Sequence, residues 1–234
     1  SEHLAEDGSF FINIKEHCED GSRDLYVKDL VVNHVREWGW VFVDEFCWTH
    51  GGTPGAFVNR FKNGWEPIFH FTKGHHKFRP DAVMHESESA ILGFKANGQV
   101  GKSGHPNDEA KPGKRFSREG MGGMAGVGDA IGARAAGAVG SGMAYPSNVL
   151  SLGKNREALG HSAAFPVSLP SFFIRAYTDE GDVVYEPFCG SGTTLIACEQ
   201  LNRTCYGMEI SPAYCDVIVK RWEALTGQKA VRNE

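Results

Sequence analysis

The stretch from Val183 to Glu209, V-V-Y-E-P-F-C-G-S-G-T-T-L-I-A-C-E-Q-L-N-R-T-C-Y-G-M-E, constrains the fold more than any other part of the chain. Val183, Val184 and Tyr185 form a short β-branched and aromatic run of the kind found in buried strands. Glu186 and Pro187 end it. Gly190 and Gly192 then bracket a tight turn, where missing side chains let a ligand approach backbone N–H groups at the start of a helix. That helix is predicted over Thr193–Leu201, and a second strand over Thr204–Met208, with Glu209 at its carboxyl tip. The result is a β-α-β unit. In doubly wound sheets ligands sit beyond the carboxyl ends of the strands, and an acid on the second strand suits a ribose diol. A dinucleotide fingerprint would need a third glycine at Leu195, and a phosphate loop a lysine before Ser or Thr, so both readings are weakened.

These residues resemble motif I of the S-adenosylmethionine-dependent DNA amino-methyltransferases: Asp or Glu, Pro, Phe, any residue, then Gly-Ser-Gly-Thr-Thr. The resemblance implies S-adenosylmethionine as cofactor. Phe188, Gly190, Gly192 and Thr193 would line its methionine half, with Glu186 and Ser191 in the same binding turn, and Glu209 would hold the ribose hydroxyls. A glycine turn that merely packs helix on strand explains neither the Pro-Phe before the glycines nor the acid on the next strand.

Upstream, Leu4 to Gly8 looks like a helix end and a turn with no helix before it, so the chain is expected to start mid-domain. Ser9–Ile14 is a mostly apolar strand suited to a sheet interior. Asp20-Gly21-Ser22 supplies a turn and a helix cap. Val27, Val31, His34, Val35 and Trp38 then recur at helical spacing up to Gly39, with His34 read as a core histidine. Trp40–Trp48 and Trp65–Thr72 read as strands, joined by a loop at Gly51–Gly55. Arg60 and Lys62, in a basic and aromatic stretch, could neutralise DNA phosphates. The segments from Gly8 to Lys73 resemble motifs V to VIII of the same family.

Residues 74–145 change character. Asn107–Arg118 is polar and basic, while Glu119–Gly142 is nearly all Gly, Ala and Met, a composition that buries no core of its own. This segment carries 9 basic and 7 acidic side chains, against 7 and 12 before it and 8 and 10 after it, so only the middle of the chain is net positive. In the resembled family the variable target-recognition region falls here. The resemblance therefore implies a partner, double-stranded DNA, contacted through Lys102, Lys111, Lys114, Arg115 and Arg118. His75, His76, His85 and His105 lack a cysteine or clustered carboxylate at ligand spacing, and no metal is expected.

Beyond it, His161–Pro170 leads to a helix at Ser171–Tyr177 and looks like motif X, which makes Phe165 and Pro166 cofactor-contacting by resemblance. Ser211 and Pro212 open a last helix, predicted to bury Tyr214, Val217, Ile218, Trp222 and Leu225. The motif order is V to VIII, variable region, X, I, II, which is the permuted order of the β group. It implies an α/β fold: a Rossmann-like methyltransferase sheet flanked by helices, in strand order 3-2-1-4-5-7-6, with a loop-rich recognition insertion. The catalytic half is expected at 1–73, the recognition region at 74–145 and the cofactor half at 146–234.

The family's catalytic motif IV, Asp, Asn or Ser followed by Pro-Pro-aromatic, has no counterpart, since no Pro-Pro dipeptide occurs in the 234 residues. No catalytic residue is assigned. The chain is expected to be a fragment with an incomplete sheet, missing the fourth strand between Val183–Tyr185 and Ser9–Ile14. Adenine N6 is the expected methyl acceptor, with cytosine N4, an RNA or protein methyltransferase, or a non-catalytic binding module as alternatives. Six cysteines without a C-x-x-C pair point to reduced thiols and a cytoplasmic setting. No apolar run approaches the roughly 20 residues of a membrane span.

Overall fold

The computed structural model describes residues 3–49, 59, 61, 63–86, 143–153 and 165–232. The chain divides into two compact units, Ser1–Val83 with Pro146–Glu234, and Met84–Tyr145. The second is described only at its ends, where β6 (His85–Glu86) and β7 (Met143–Ala144) pair antiparallel. The Gly51–Gly55 loop, Arg60, Lys62, Lys102, His105, Lys111, Lys114, Arg115, Arg118 and the start of the motif X segment lie outside the described residues.

Within the first unit, β1 (Ser9–Asn13), β4 (Val41–Thr49), β5 (Trp65–Thr72) and β8 (Val149–Ser151) form one sheet in the order β1-β5-β4-β8. β5 runs antiparallel to both β1 and β4, and β8 lies parallel to β4. Both faces of β5 are covered, which is why Pro67–Thr72 is a continuous buried run rather than an alternating one. Phe69 and Phe71 pack with Val27 and Val31 of α1 (Tyr26–Arg36). On the opposite face Phe46, Trp48, Ile68 and Leu150 meet Leu169, Phe173, Ala176 and Tyr177 of α2 (Ser168–Tyr177). As expected, His34 is a satisfied core residue: its Nδ1 is 2.8 Å from the Leu30 carbonyl and its ring stacks on Phe71.

A second, two-stranded parallel sheet joins β9 (Val183–Glu186) to β10 (Thr204–Gly207) through α3 (Thr193–Gln200). Ile174 of α2 packs with Ala197 and Cys198 of α3, so α2 serves both sheets. Arg79, just after β5, grips Asp179 with two hydrogen bonds of 3.0 Å, and Lys77 reaches Asp182 at 2.6 Å. These pairs tie the chain after β5 to the turn that leads into β9.

The observed orders, β10-β9 and β1-β5-β4, match the 2-1 and 5-7-6 portions of the expected 3-2-1-4-5-7-6 sheet. Among the described residues β9 pairs only with β10 and β1 only with β5, so the sheet is interrupted where the fourth strand was expected.

Four expectations need correction. Ser22 does not cap α1; it lies in the short β3 (Ser22–Arg23), paired with β2 (Cys18–Glu19) through a turn at Asp20 and Gly21, both with positive φ, and the helix begins after Leu25. That turn geometry suits a two-residue hairpin. Val35, inside α1 but off the face that Val27, Val31 and His34 turn to the sheet, and Trp38, beyond the helix end at Arg36, are exposed rather than core. α2 starts three residues earlier than Ser171 and takes in Pro170, whose missing N–H costs nothing in a first turn where no backbone N–H has an intrahelical acceptor. The last helix, α4 (Pro212–Thr226), buries no residue fully: Tyr214, Ile218 and Trp222 are half-buried, while Val217 and Leu225 are exposed.

Candidate cofactor site

The site is built at the carboxyl ends of β9 and β10. Gly190 (φ 52°) and Gly192 (φ 80°) both take the left-handed conformation that favours glycine, and Gly192 caps α3. The turn is laced to β10 by hydrogen bonds from Cys189 N–H to the Met208 carbonyl (3.0 Å) and from Met208 N–H to the Glu186 carbonyl (2.9 Å). A side chain at Gly207 would meet the Cys189 sulfur at 2.3 Å, so the close approach of loop and strand depends on that glycine. Burial, with Glu186 nearby, pushes the Cys189 thiol up to about 11, which leaves it a neutral packing group.

Two carboxylates organise the turn. Glu186 accepts from the Phe188 N–H (3.0 Å) and, through its other oxygen, from the Thr194 hydroxyl (3.0 Å). Glu209 accepts from the Gly190 N–H (2.7 Å) and the Ser211 N–H (2.8 Å). A carboxylate offers roughly four lone-pair sites. Glu209 therefore spans from β10 to the glycine turn and keeps acceptor capacity for a pair of hydroxyls.

The structure thus brings together Glu186, Phe188, Gly190, Ser191, Gly192, Thr193 and Glu209. Phe188 is 87% exposed and Ile210 98% exposed, large apolar side chains left open beside the turn. Phe165 and Pro166 precede α2 instead; Phe165 packs against the Phe46–Trp48 core, and the Pro166 carbonyl accepts from Leu169. Three contributors escaped the sequence reading: Thr194, Ile210 and Arg221. The second threonine of the motif and the residue after the acid were signals for the first two. Arg221 had none, because it reaches the turn from α4, 28 residues beyond Thr193. Among the described residues no group of three or more His, Cys, Asp or Glu is placed to hold a metal ion.

The profile of the N6/N4 methyltransferase family, described as DNA methylase, matches residues 1–220. The orphan methyltransferase M.BamHII of Bacillus amyloliquefaciens is 44% identical over 67 residues, 29% of this chain and 25% of that relative. The chain therefore matches about a quarter of that relative's length. Among solved structures, the cytosine-N4-specific PvuII DNA methyltransferase aligns with a TM-score of 0.61 at 20% identity, covering 94% of this chain and 65% of that one. An M1.HpyAVI-SAM complex aligns at 0.54 and 17% identity, covering 93% and 76%. At these identities the likeness is one of fold: a Rossmann-like α/β sheet flanked by helices.

Proposed function

The chain belongs to the N6/N4 DNA methylase family, and on that premise we propose that it binds S-adenosylmethionine and forms part of a DNA methyltransferase acting on an exocyclic base amine. The observation that carries this reading is Glu209 bridging from the tip of β10 to the glycine turn, with acceptor sites to spare. Those sites suit the cofactor's ribose diol. Ile210 offers apolar surface on which its adenine would rest, and Phe188, Gly190, Ser191, Gly192 and Thr193 line the methionine end. Bound there, the cofactor supplies an electrophilic methyl on a sulfonium sulfur. The residues of this chain orient that group.

A target base must leave the helix stack to reach such a pocket. We assign DNA choice to residues 74–145, phosphate contacts to Arg60 and Lys62, and the methyl acceptor as adenine N6. Among the described residues β9 pairs only with β10 and β1 only with β5, which supports a further reading, that a strand carrying the family's amine-holding Pro-Pro-aromatic motif belongs between them.

Calorimetric titration of S-adenosylmethionine tests the cofactor assignment. Glu209→Ala should lose roughly 1.5 to 3 kcal/mol, the value of a hydrogen bond to a charged group. Unchanged affinity would remove Glu209 from the site. Mass spectrometry of nucleosides from DNA methylated by the protein tests the acceptor: N4-methylcytosine would replace the adenine assignment, and 5-methylcytosine would overturn amine methylation altogether.

A further inference from the structure

Arg221 approaches the glycine turn from behind, and its partners are unusual for a half-buried cation. One guanidinium nitrogen, Nη1, donates to the Ser191 carbonyl, to the Ser191 hydroxyl at 3.2 Å and to the Thr193 hydroxyl at 3.3 Å. Among the described residues it has no carboxylate within ion-pair range. Its charge is thus held by neutral oxygens alone, and burial pulls its pKa below the ordinary arginine value. Glu186 and Glu209, the acids of the turn, are committed elsewhere, each to two donors.

The chemistry of the donors sets a direction. Nη1 carries two N–H donors and no acceptor, so both hydroxyls, which share the hydrogen not given to the Ser191 carbonyl, must accept from it. Their own hydrogens then point away from Arg221. Fixing the Ser191 carbonyl toward α4 likewise keeps that acceptor on the far side of the turn.

We propose that Arg221 is a positioning residue that turns the Ser191 and Thr193 hydroxyls into donors for an anion, and that the anion is the carboxylate at the amino-acid end of the cofactor. This rests on the cofactor reading above. The arrangement gives the turn a means of distinguishing adenosine thioethers that carry the amino-acid end from those that lack it.

Two ligands separate this from a purely structural role. S-Adenosylhomocysteine carries the carboxylate; 5′-methylthioadenosine keeps the adenosine and sulfur but lacks the amino-acid end. For the 234-residue chain, Arg221→Met should weaken S-adenosylhomocysteine roughly ten- to hundredfold, the equivalent of one charge-assisted hydrogen bond, and leave methylthioadenosine within about twofold. Thr193→Val, which removes one hydroxyl and keeps the side-chain shape, should shift the same ligand in the same direction and carries the test if Arg221→Met fails to fold. Glu209→Ala should weaken both ligands alike. Equal losses for the two ligands in Arg221→Met and Thr193→Val would overturn the proposal and leave the cofactor reading standing. Failure of the unaltered chain to bind either ligand would bring down the cofactor reading and this proposal together.

Discussion

Replacing Gly192 by alanine should be among the costliest single-methyl additions in this protein. Gly192 sits at φ 80°, ψ 26°, where an L-residue carries a strain of roughly 1 to 2 kcal/mol. A Cβ there would lie 2.9 Å from Cγ1 and 3.2 Å from Cγ2 of Ile218, well inside ordinary carbon contact. Overpacking of this kind costs roughly 1 to 3 kcal/mol, so the two effects together amount to about 2 to 5 kcal/mol. Urea denaturation of Gly192→Ala against the unaltered chain measures the total. The double variant with Ile218→Ala separates the parts. Removing both γ carbons should recover the steric share, leaving the backbone strain and a coupling of about 1 to 3 kcal/mol. A single variant within about 0.5 kcal/mol of the parent, or additivity in the double variant, would refute the close keying of α4 onto the cofactor turn.

Acid should destabilise the first unit through His70, which is fully buried; burial, with His76 beside it, holds its pKa down to about 3 from the ordinary 6.5. The unfolded chain takes up the proton first, so stability is complete above about pH 6.5 and falls as pH drops toward 3, at up to ~1.4 kcal/mol per unit. His70→Phe, which keeps a ring between Phe11 and Tyr177, should flatten that slope in urea midpoints measured from pH 4 to 7, and an unaltered slope would exclude His70 as its source. Thr194→Val should destabilise by roughly 1 to 3 kcal/mol, because it strips a hydrogen bond from the Glu186 carboxylate; a change under about 0.5 kcal/mol would count against that bond. In timed alkylation followed by mass spectrometry, exposed Cys215 should react first and fully buried Cys198 only on unfolding; early loss of the Cys198 thiol would contradict its packing under β9 and β10.

Much of the cofactor turn was legible in the sequence because its determinants are contiguous. Two glycines two residues apart announce left-handed backbone, an apolar run before them announces a strand, and Glu209 falls at the tip of the next strand by counting. Helix and strand positions elsewhere came within a few residues for the same reason, since periodicity reports which face of an element is apolar. It does not report which element covers that face. Tertiary structure alone decided that β8 joins β4 and that α4 contributes Arg221 and Ile218 to a turn nearly thirty residues earlier in the chain. Burial of His70 against Ser9, 61 residues apart, is of the same kind. Such contacts depend on where the packed sheets and helices place distant segments, and no local pattern encodes that placement.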